Sequence, residues 1–199
     1  MNKDILLCGV GGQGTVLASN LIAAAAMSGG DIVHSAETIG MAQRGGSVTS
    51  HVRIGTHAYS PLIPSGKADL ILAFEPAEAA RNLSYLKKDG MIIVNKMPVK
   101  PVTESLKDTG YDGTELINYM KEHCPHLITL DGESFVQNFG SSKYLNVALL
   151  GVAAGSGRLG LSAEAILQEI EHRVPEKFRE TNIQVFKAGK EIGEAYAIN

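Results

Sequence analysis

The chain has 199 residues, 44% of them hydrophobic and 20% charged, with a net charge of −3. That length suits a single domain spanning residues 1–199, and the balance is that of a globular chain rather than a disordered one. The slight acidity, with no Lys/Arg-rich run, gives no electrostatic reason to expect nucleic acid or an anionic membrane as partner.

Met1-Asn2-Lys3-Asp4 leads into four apolar residues and then a glycine, too short for a signal-peptide core. No window approaches the ~18 apolar residues of a membrane span, so a cytoplasmic chain is expected. Asp4 to Val10 reads as a buried strand because its apolar run is short and continuous. Gln13 to Ser28 carries Val16, Leu17, Leu21 and Ile22 among alanines without proline, which predicts a helix ended by Gly29-Gly30. Asp31 to Ala36 then gives a second strand and a βαβ unit. Glu37 to Gly46 reads as a glycine-rich loop, and Ser47 to Ile54 alternates like a half-buried strand, with His51 and Arg53 on the face opposite Val52. A turn at Gly55-Thr56 and the short Ala58-Tyr59-Ser60 suggest a hairpin.

Asp69 to Phe74 is a further apolar strand, followed by a helix from Pro76 to about Leu86. Met91 to Asn95 reads as a strand, Lys96 to Gly113 as an irregular connection, Leu116 to Glu122 as a helix and Leu127 to Leu130 as a strand. The last third is helix-rich: Leu145 to about Ala154, Ser162 to Arg173 with Ser162 as cap, and Thr181 to Ala197. Within it Phe178, Val185, Phe186, Ile192 and Tyr196 recur at helical spacing, a core or interface stripe. Alternating strands and helices predict a three-layer, Rossmann-like α/β fold with a mainly parallel sheet.

Two stretches bear on function. Gly9-Val10-Gly11-Gly12-Gln13-Gly14 lies between the first strand and helix and fits the G-x-G-x-x-G template of a dinucleotide-binding turn. Such a turn also needs an acidic residue about 20 positions on, and Glu37 loosely meets that need. The same bare turn equally serves plain geometry, or close approach by another polypeptide. The second stretch, Glu37 to Ile54, holds Arg44 in its loop, between Met41, Gln43 and the pair Gly45-Gly46, with Arg53 in the strand that follows. Glycines around an arginine let its planar fork reach a carboxylate, phosphate or carbonyl unobstructed. A dinucleotide reader has no need of this loop. Glu75, at a strand end before Pro76, reads either as a site residue or as an ordinary helix start. His34, His51 and His57 have no ligand spacing with Cys8 and Cys124, and a structural role is expected of them. Two cysteines also make neither a disulfide framework nor a four-thiolate cluster cradle.

"GVGGQG", "GMAQRGGSV" with "SHVRIG", "YSPLIPSGKAD" before "AFEPAEA", and the C-terminal "NIQVFKAGKEIGEA" together resemble the small subunit of 2-oxoacid:ferredoxin oxidoreductases. The resemblance runs over nearly the whole chain and is strongest to the β subunit of the indolepyruvate type, the counterpart of γ in the pyruvate enzymes. It implies a holoenzyme that oxidatively decarboxylates an arylpyruvate with thiamine diphosphate and Mg²⁺, passing the acyl group to coenzyme A and electrons through iron–sulfur clusters to ferredoxin. This chain has no Gly-Asp-Gly triplet and too few cysteines for that chemistry. No cofactor is therefore expected on the chain alone. Isolated, it should be inactive, with neither a catalytic residue nor a metal ligand of its own. The expected partner is a larger thiamine-binding, iron–sulfur subunit in a hetero-oligomer. The candidate cofactor-binding or interface residues are Gly9, Gly11, Gly12, Gln13, Gly14, Glu37, Met41, Gln43, Arg44, Gly45 and Gly46. Two other readings stay open: a free-standing dinucleotide-binding oxidoreductase, and a homodimeric scaffold that self-associates through the same patch when its partner is missing.

Overall fold

The short apolar runs become the centre of one sheet. A computed structural model describes residues 1–39, 45–100 and 110–197. Its elements are β1 (Lys3–Val10), α1 (Thr15–Ser28), β2 (Val33–Ile39), β3 (Ser47–Ile54), β4 (Ala68–Ala73), α2 (Pro76–Arg81), β5 (Leu86–Asn95), α3 (Thr114–His123), β6 (His126–Leu130), α4 (Gly132–Phe139), α5 (Leu145–Gly155), α6 (Ala163–Arg173) and α7 (Glu176–Glu194). The strands lie in the order β2-β3-β1-β4-β5-β6. β1, β4, β5 and β6 pair in parallel, whereas β3 runs antiparallel to both β1 and β2. The three-layer, mainly parallel α/β fold is as expected.

Alternation along the strands feeds two cores. Ile5 and Leu7 of β1, with Leu70, Leu72 and Ile93, face Leu21 and Ile22 of α1, Leu149 of α5, Ile166 and Ile170 of α6, and Val185 and Phe186 of α7. Leu6 and Cys8, with Ile71, Ala73, Ile92 and Val94, face Ala79 of α2 and Ile117 and Met120 of α3. A strand segment buried on both faces must read as an unbroken apolar run, and residues 5–8 of β1, 70–73 of β4 and 91–94 of β5 do.

α5 is apolar on every side and buried along most of its length. It packs against α7 through four glycines. A Cβ on Gly151 or Gly155 would overlap the Phe186 or Lys190 carbonyl, and one on Gly189 or Gly193 would overlap the Ala148 or Val152 carbonyl. Both pairs are spaced i, i+4, so each helix offers a bare stripe to the other and the two backbones meet.

Several expectations need correction. β2 does not pair with β1, because β3 lies between them, so the expected βαβ unit spans an intervening strand. β2 also runs on to Ile39, absorbing Glu37 from the expected loop. β3 is not half-solvated: His51 and Arg53 are buried. The expected hairpin around Ala58-Tyr59-Ser60 is instead a loop folded over that polar face. Its backbone groups are taken by side chains rather than a ladder: Arg53 Nη1 donates to the carbonyls of Ser60 (3.1 Å) and Leu62 (3.2 Å), and the Ile63 amide donates to His51 Nδ1 (3.2 Å). Arg53 Nε in turn donates to Asp4 at 2.8 Å, with His57 Nε2 3.1 Å from the same carboxylate. Burial, then the Arg53 charge, hold His51 below the usual imidazole range, which suits its role as neutral acceptor. α2 stops at Arg81, where the Asn82 side chain donates to the Glu78 carbonyl. β5 begins at Leu86 and is irregular until Met91. α4 had no counterpart in the sequence reading, and α7 starts five residues before Thr181, at Glu176.

Candidate functional site

In a sheet of this kind a cleft forms where neighbouring parallel strands send their connections to opposite sides. Here that point lies between β1, whose chain leaves toward β2 and β3, and β4, which continues to β5 and β6. At the C-terminal ends of these strands sits a cleft of about 120 Å³ lined by Gly12, Gln13, Phe74, Asn95, Met97 and Lys143, among others.

The glycine turn forms one wall, and its members serve different ends. Gln13 is largely internal: its Oε1 accepts from the Val10 amide (2.8 Å) and its Nε2 donates to the Phe74 carbonyl (3.0 Å), tying β1 to β4. Asn95 Nδ2 donates to the same carbonyl at 3.2 Å while its Oδ1 accepts from the Met97 amide at 3.1 Å. Gly9 is small by necessity, since a Cβ there would sit 2.7 Å from Gln13 Oε1 and 2.9 Å from Phe74 Cβ. Gly14 caps α1 with φ 81°, and a Cβ would run into Asn146, whose Nδ2 donates to the Gly14 carbonyl at 3.4 Å. Gly12, at φ 100°, is exposed with nothing within 4 Å of a would-be Cβ.

The second corner adjoins the first. The Gly11 amide donates to the Gly46 carbonyl at 2.8 Å, and the Gly45 amide approaches the Gly11 carbonyl at 3.5 Å. Gly45 is exposed at φ 75°, again with open space where a Cβ would stand. Gly12 and Gly45 thus belong to one bare backbone surface. Met41, Gln43 and Arg44 lie outside the described residues.

Glu37 is not part of that surface. The pairing register puts it level with Ser50 of β3 and Leu7 of β1, two strands from β1. Adjacent strands lie about 4.8 Å apart, so it is about 10 Å to the side. Its carboxylate is 3.5 Å from Ser19 Oγ on α1. A dinucleotide fingerprint needs the acidic residue on the neighbouring strand, so the inserted β3 removes the geometry that the spacing suggested.

Next along the chain from Phe74, which lines the cleft, is a buried polar cluster around Glu75. Glu75 is 2% exposed and caps α2, its Oε2 accepting from the Glu78 amide at 3.0 Å while Tyr111 donates to Oε1. Burial raises its carboxyl above the ordinary range, against the pull of the Tyr111 and backbone hydrogen bonds. Glu78 accepts from Ser47 Oγ at 2.6 Å and pairs with Arg81, fastening the start of β3 to α2. Glu75 is accordingly a helix cap and an anchor for Tyr111. Asn95 and Lys143 were missed. Asn95 ends an apolar strand at the cleft side, a signal that was available, whereas Lys143 comes from a single 3-10 turn that carries none.

The cysteines of this chain do not fit an iron–sulfur cluster of the kind that the resemblance implies for the holoenzyme. Burial pushes the Cys8 and Cys124 thiols up, so neither is poised as a thiolate ligand, and two thiols fall short of a cluster. Among the described residues no group of three or more His, Cys, Asp or Glu is placed to hold a metal ion. Nor is any helix among them long and apolar enough to cross a membrane.

Comparison with known proteins agrees in fold and family. The family model "pyruvate ferredoxin/flavodoxin oxidoreductase" matches residues 4–192. Indolepyruvate oxidoreductase subunit IorB of Pyrococcus horikoshii is 38% identical over 195 residues, covering 95% of this chain and 96% of that one. The keto/oxoacid ferredoxin oxidoreductase gamma subunit of Geobacter sulfurreducens has the same fold, with a TM-score of 0.71, 24% identity and coverage of 97% and 99%. A 2-oxoglutarate:ferredoxin oxidoreductase of Magnetococcus marinus shares it too (TM-score 0.72, 18% identity), this chain covering 98% of itself but 31% of that longer chain. The chain belongs to the pyruvate ferredoxin/flavodoxin oxidoreductase family.

Proposed function

We propose that this chain is the small subunit of an indolepyruvate-type 2-oxoacid:ferredoxin oxidoreductase, and that the surface around Gly12, Gly45, Gly46 and the neighbouring cleft docks onto a larger catalytic chain. The observation that carries this is the Gly11–Gly46 backbone pairing, which joins two exposed, side-chain-free corners beside the cleft at the switch point. Bare backbone in the left-handed region is costly for other residues, and here nothing among the described residues requires the space at Gly12 or Gly45. Close approach by another polypeptide explains it.

On this reading residues 1–199 act as one domain. The larger chain brings thiamine diphosphate, Mg²⁺ and the iron–sulfur clusters, which supply the decarboxylation and electron-transfer chemistry, and it passes electrons to ferredoxin. The small subunit positions and encloses, and completes the wall of the larger chain's active site or of its coenzyme A channel. The complex works in the cytoplasm, and the isolated subunit is inactive and self-associates through the uncovered surface. Co-expression with the large chain tests this. A stable complex with arylpyruvate-dependent dye reduction that neither chain shows alone is expected. Full activity of the large chain by itself would overturn it.

A further inference from the structure

A second concavity lies around the corner from the cleft and shares Lys143 with it. It measures about 340 Å³ and is lined by Leu17 of α1, Tyr144, Val174 and Pro175 of the α6–α7 corner, Phe178 of α7, and the cations Lys143 and Arg173. Leu17 is 37% and Phe178 42% exposed, although Phe178 opens the stripe whose Val185 and Phe186 are buried. An aromatic ring left outside its own core, facing a leucine from another helix across a hollow, is the usual form of an anchor site.

The charges lining this groove are of one sign. Lys143 and Arg173 are its two charged residues, and the Lys177 ammonium adds a third cation 4.8 Å over the Phe178 ring. Arg173 is held by a 2.7 Å hydrogen bond from Nε to Glu169, itself tied to Ser28 Oγ at 2.9 Å, which fixes its guanidinium at the rim. Its terminal nitrogens find no partner among the described residues. An apolar floor with cations at the rim, one of them held in place, matches an apolar side chain flanked by a carboxylate.

We infer that this groove is a second docking point for the larger chain, taking a segment with an apolar or aromatic anchor next to Asp or Glu. The inference rests on the subunit reading above and extends its interface from the glycine surface, across Lys143, to the α6–α7 corner.

The test uses the complex of the full chain with its large partner. Phe178→Ser and Leu17→Asn, both at partly exposed positions, should keep the thermal midpoint and weaken the complex about tenfold or more, as loss of an anchor does. Arg173→Gln should weaken it less and reduce the salt dependence of binding. A photo-crosslinking residue at position 178 should capture a large-chain peptide bearing an apolar residue beside a carboxylate. Unchanged affinity with no crosslink, or a crosslink to a basic segment or to a second copy, would overturn the groove while leaving the subunit reading intact. Failure of the wild-type chains to associate would overturn both.

Discussion

Glycines in two regions of the molecule look alike in sequence and do opposite things. On the α5–α7 seam, Gly151, Gly155, Gly189 and Gly193 are glycines because the facing backbone occupies the place a side chain would need. In the corner at the C-terminal end of the sheet, Gly12 and Gly45 face empty space at φ 100° and φ 75°. The first set is explained within the chain, by packing. The second is not, and an unexplained bare backbone on an exposed surface points outward. Gly9 and Gly14 sit in the same turn as Gly12 but belong with the first set, because Phe74, Gln13 and Asn146 fill the space beside them.

That contrast can be broken by substitution. Gly189→Ala drives a methyl into the backbone around Ala148, and the seam cannot yield without parting two helices. A loss of about 3 kcal/mol is expected, read as a lower midpoint in denaturant unfolding. Tolerance of alanine there would remove the packing explanation. Gln13→Leu strips the Val10 amide of its partner and leaves the Phe74 carbonyl to Asn95 alone. About 1–3 kcal/mol should be lost by the same measurement.

Glu75→Gln sharpens the picture from the buried cap of α2. Glutamine's single carbonyl oxygen can still cap α2, its amide nitrogen then donating to the Tyr111 hydroxyl instead of accepting from it, and the side chain cannot ionise. Because the folded-state pKa of Glu75 is raised, its carboxyl adds stability below the unfolded value near 4.5 and loses it as pH climbs through the raised folded value. The variant should therefore gain on the wild type as pH rises from about 4.5 toward neutrality, seen as diverging thermal midpoints. Parallel curves across that range would contradict a burial-driven shift. Smallest of all should be Gly12→Asn and Gly45→Asn. Asparagine tolerates left-handed backbone and the space is open, so stability should move by less than about 1 kcal/mol. A large loss would mean that the two corners are packed after all.

The sequence carried much of the fold because burial on two faces writes itself as unbroken apolar runs, as in Ile5 to Cys8 and Leu70 to Phe74. Caps were legible where chemistry is local: Ser162 accepts from the Ala165 amide at 3.1 Å, as a capping serine should. Strand order was not legible. Nothing in "SVTSHVRI" says that it inserts between β1 and β2, since pairing is a non-local choice. Arg53 and His51 read as solvent-facing because the loop that buries them reads as a hairpin, and their partners Asp4, Ser60 and Ile63 lie up to 49 residues away. At the candidate site the glycines stood out, but their division did not. The neighbours that decide it, Phe74 and Asn146, come from distant parts of the chain.

The most direct test is amide hydrogen exchange of the chain alone and in complex with its larger partner. Slower exchange is expected at residues 9–14 and 45–48 on complex formation, with the α5–α7 seam unchanged because it is already closed in the free chain. A stable complex that leaves exchange at both corners unaltered would contradict the claim that this bare surface is where the larger chain docks.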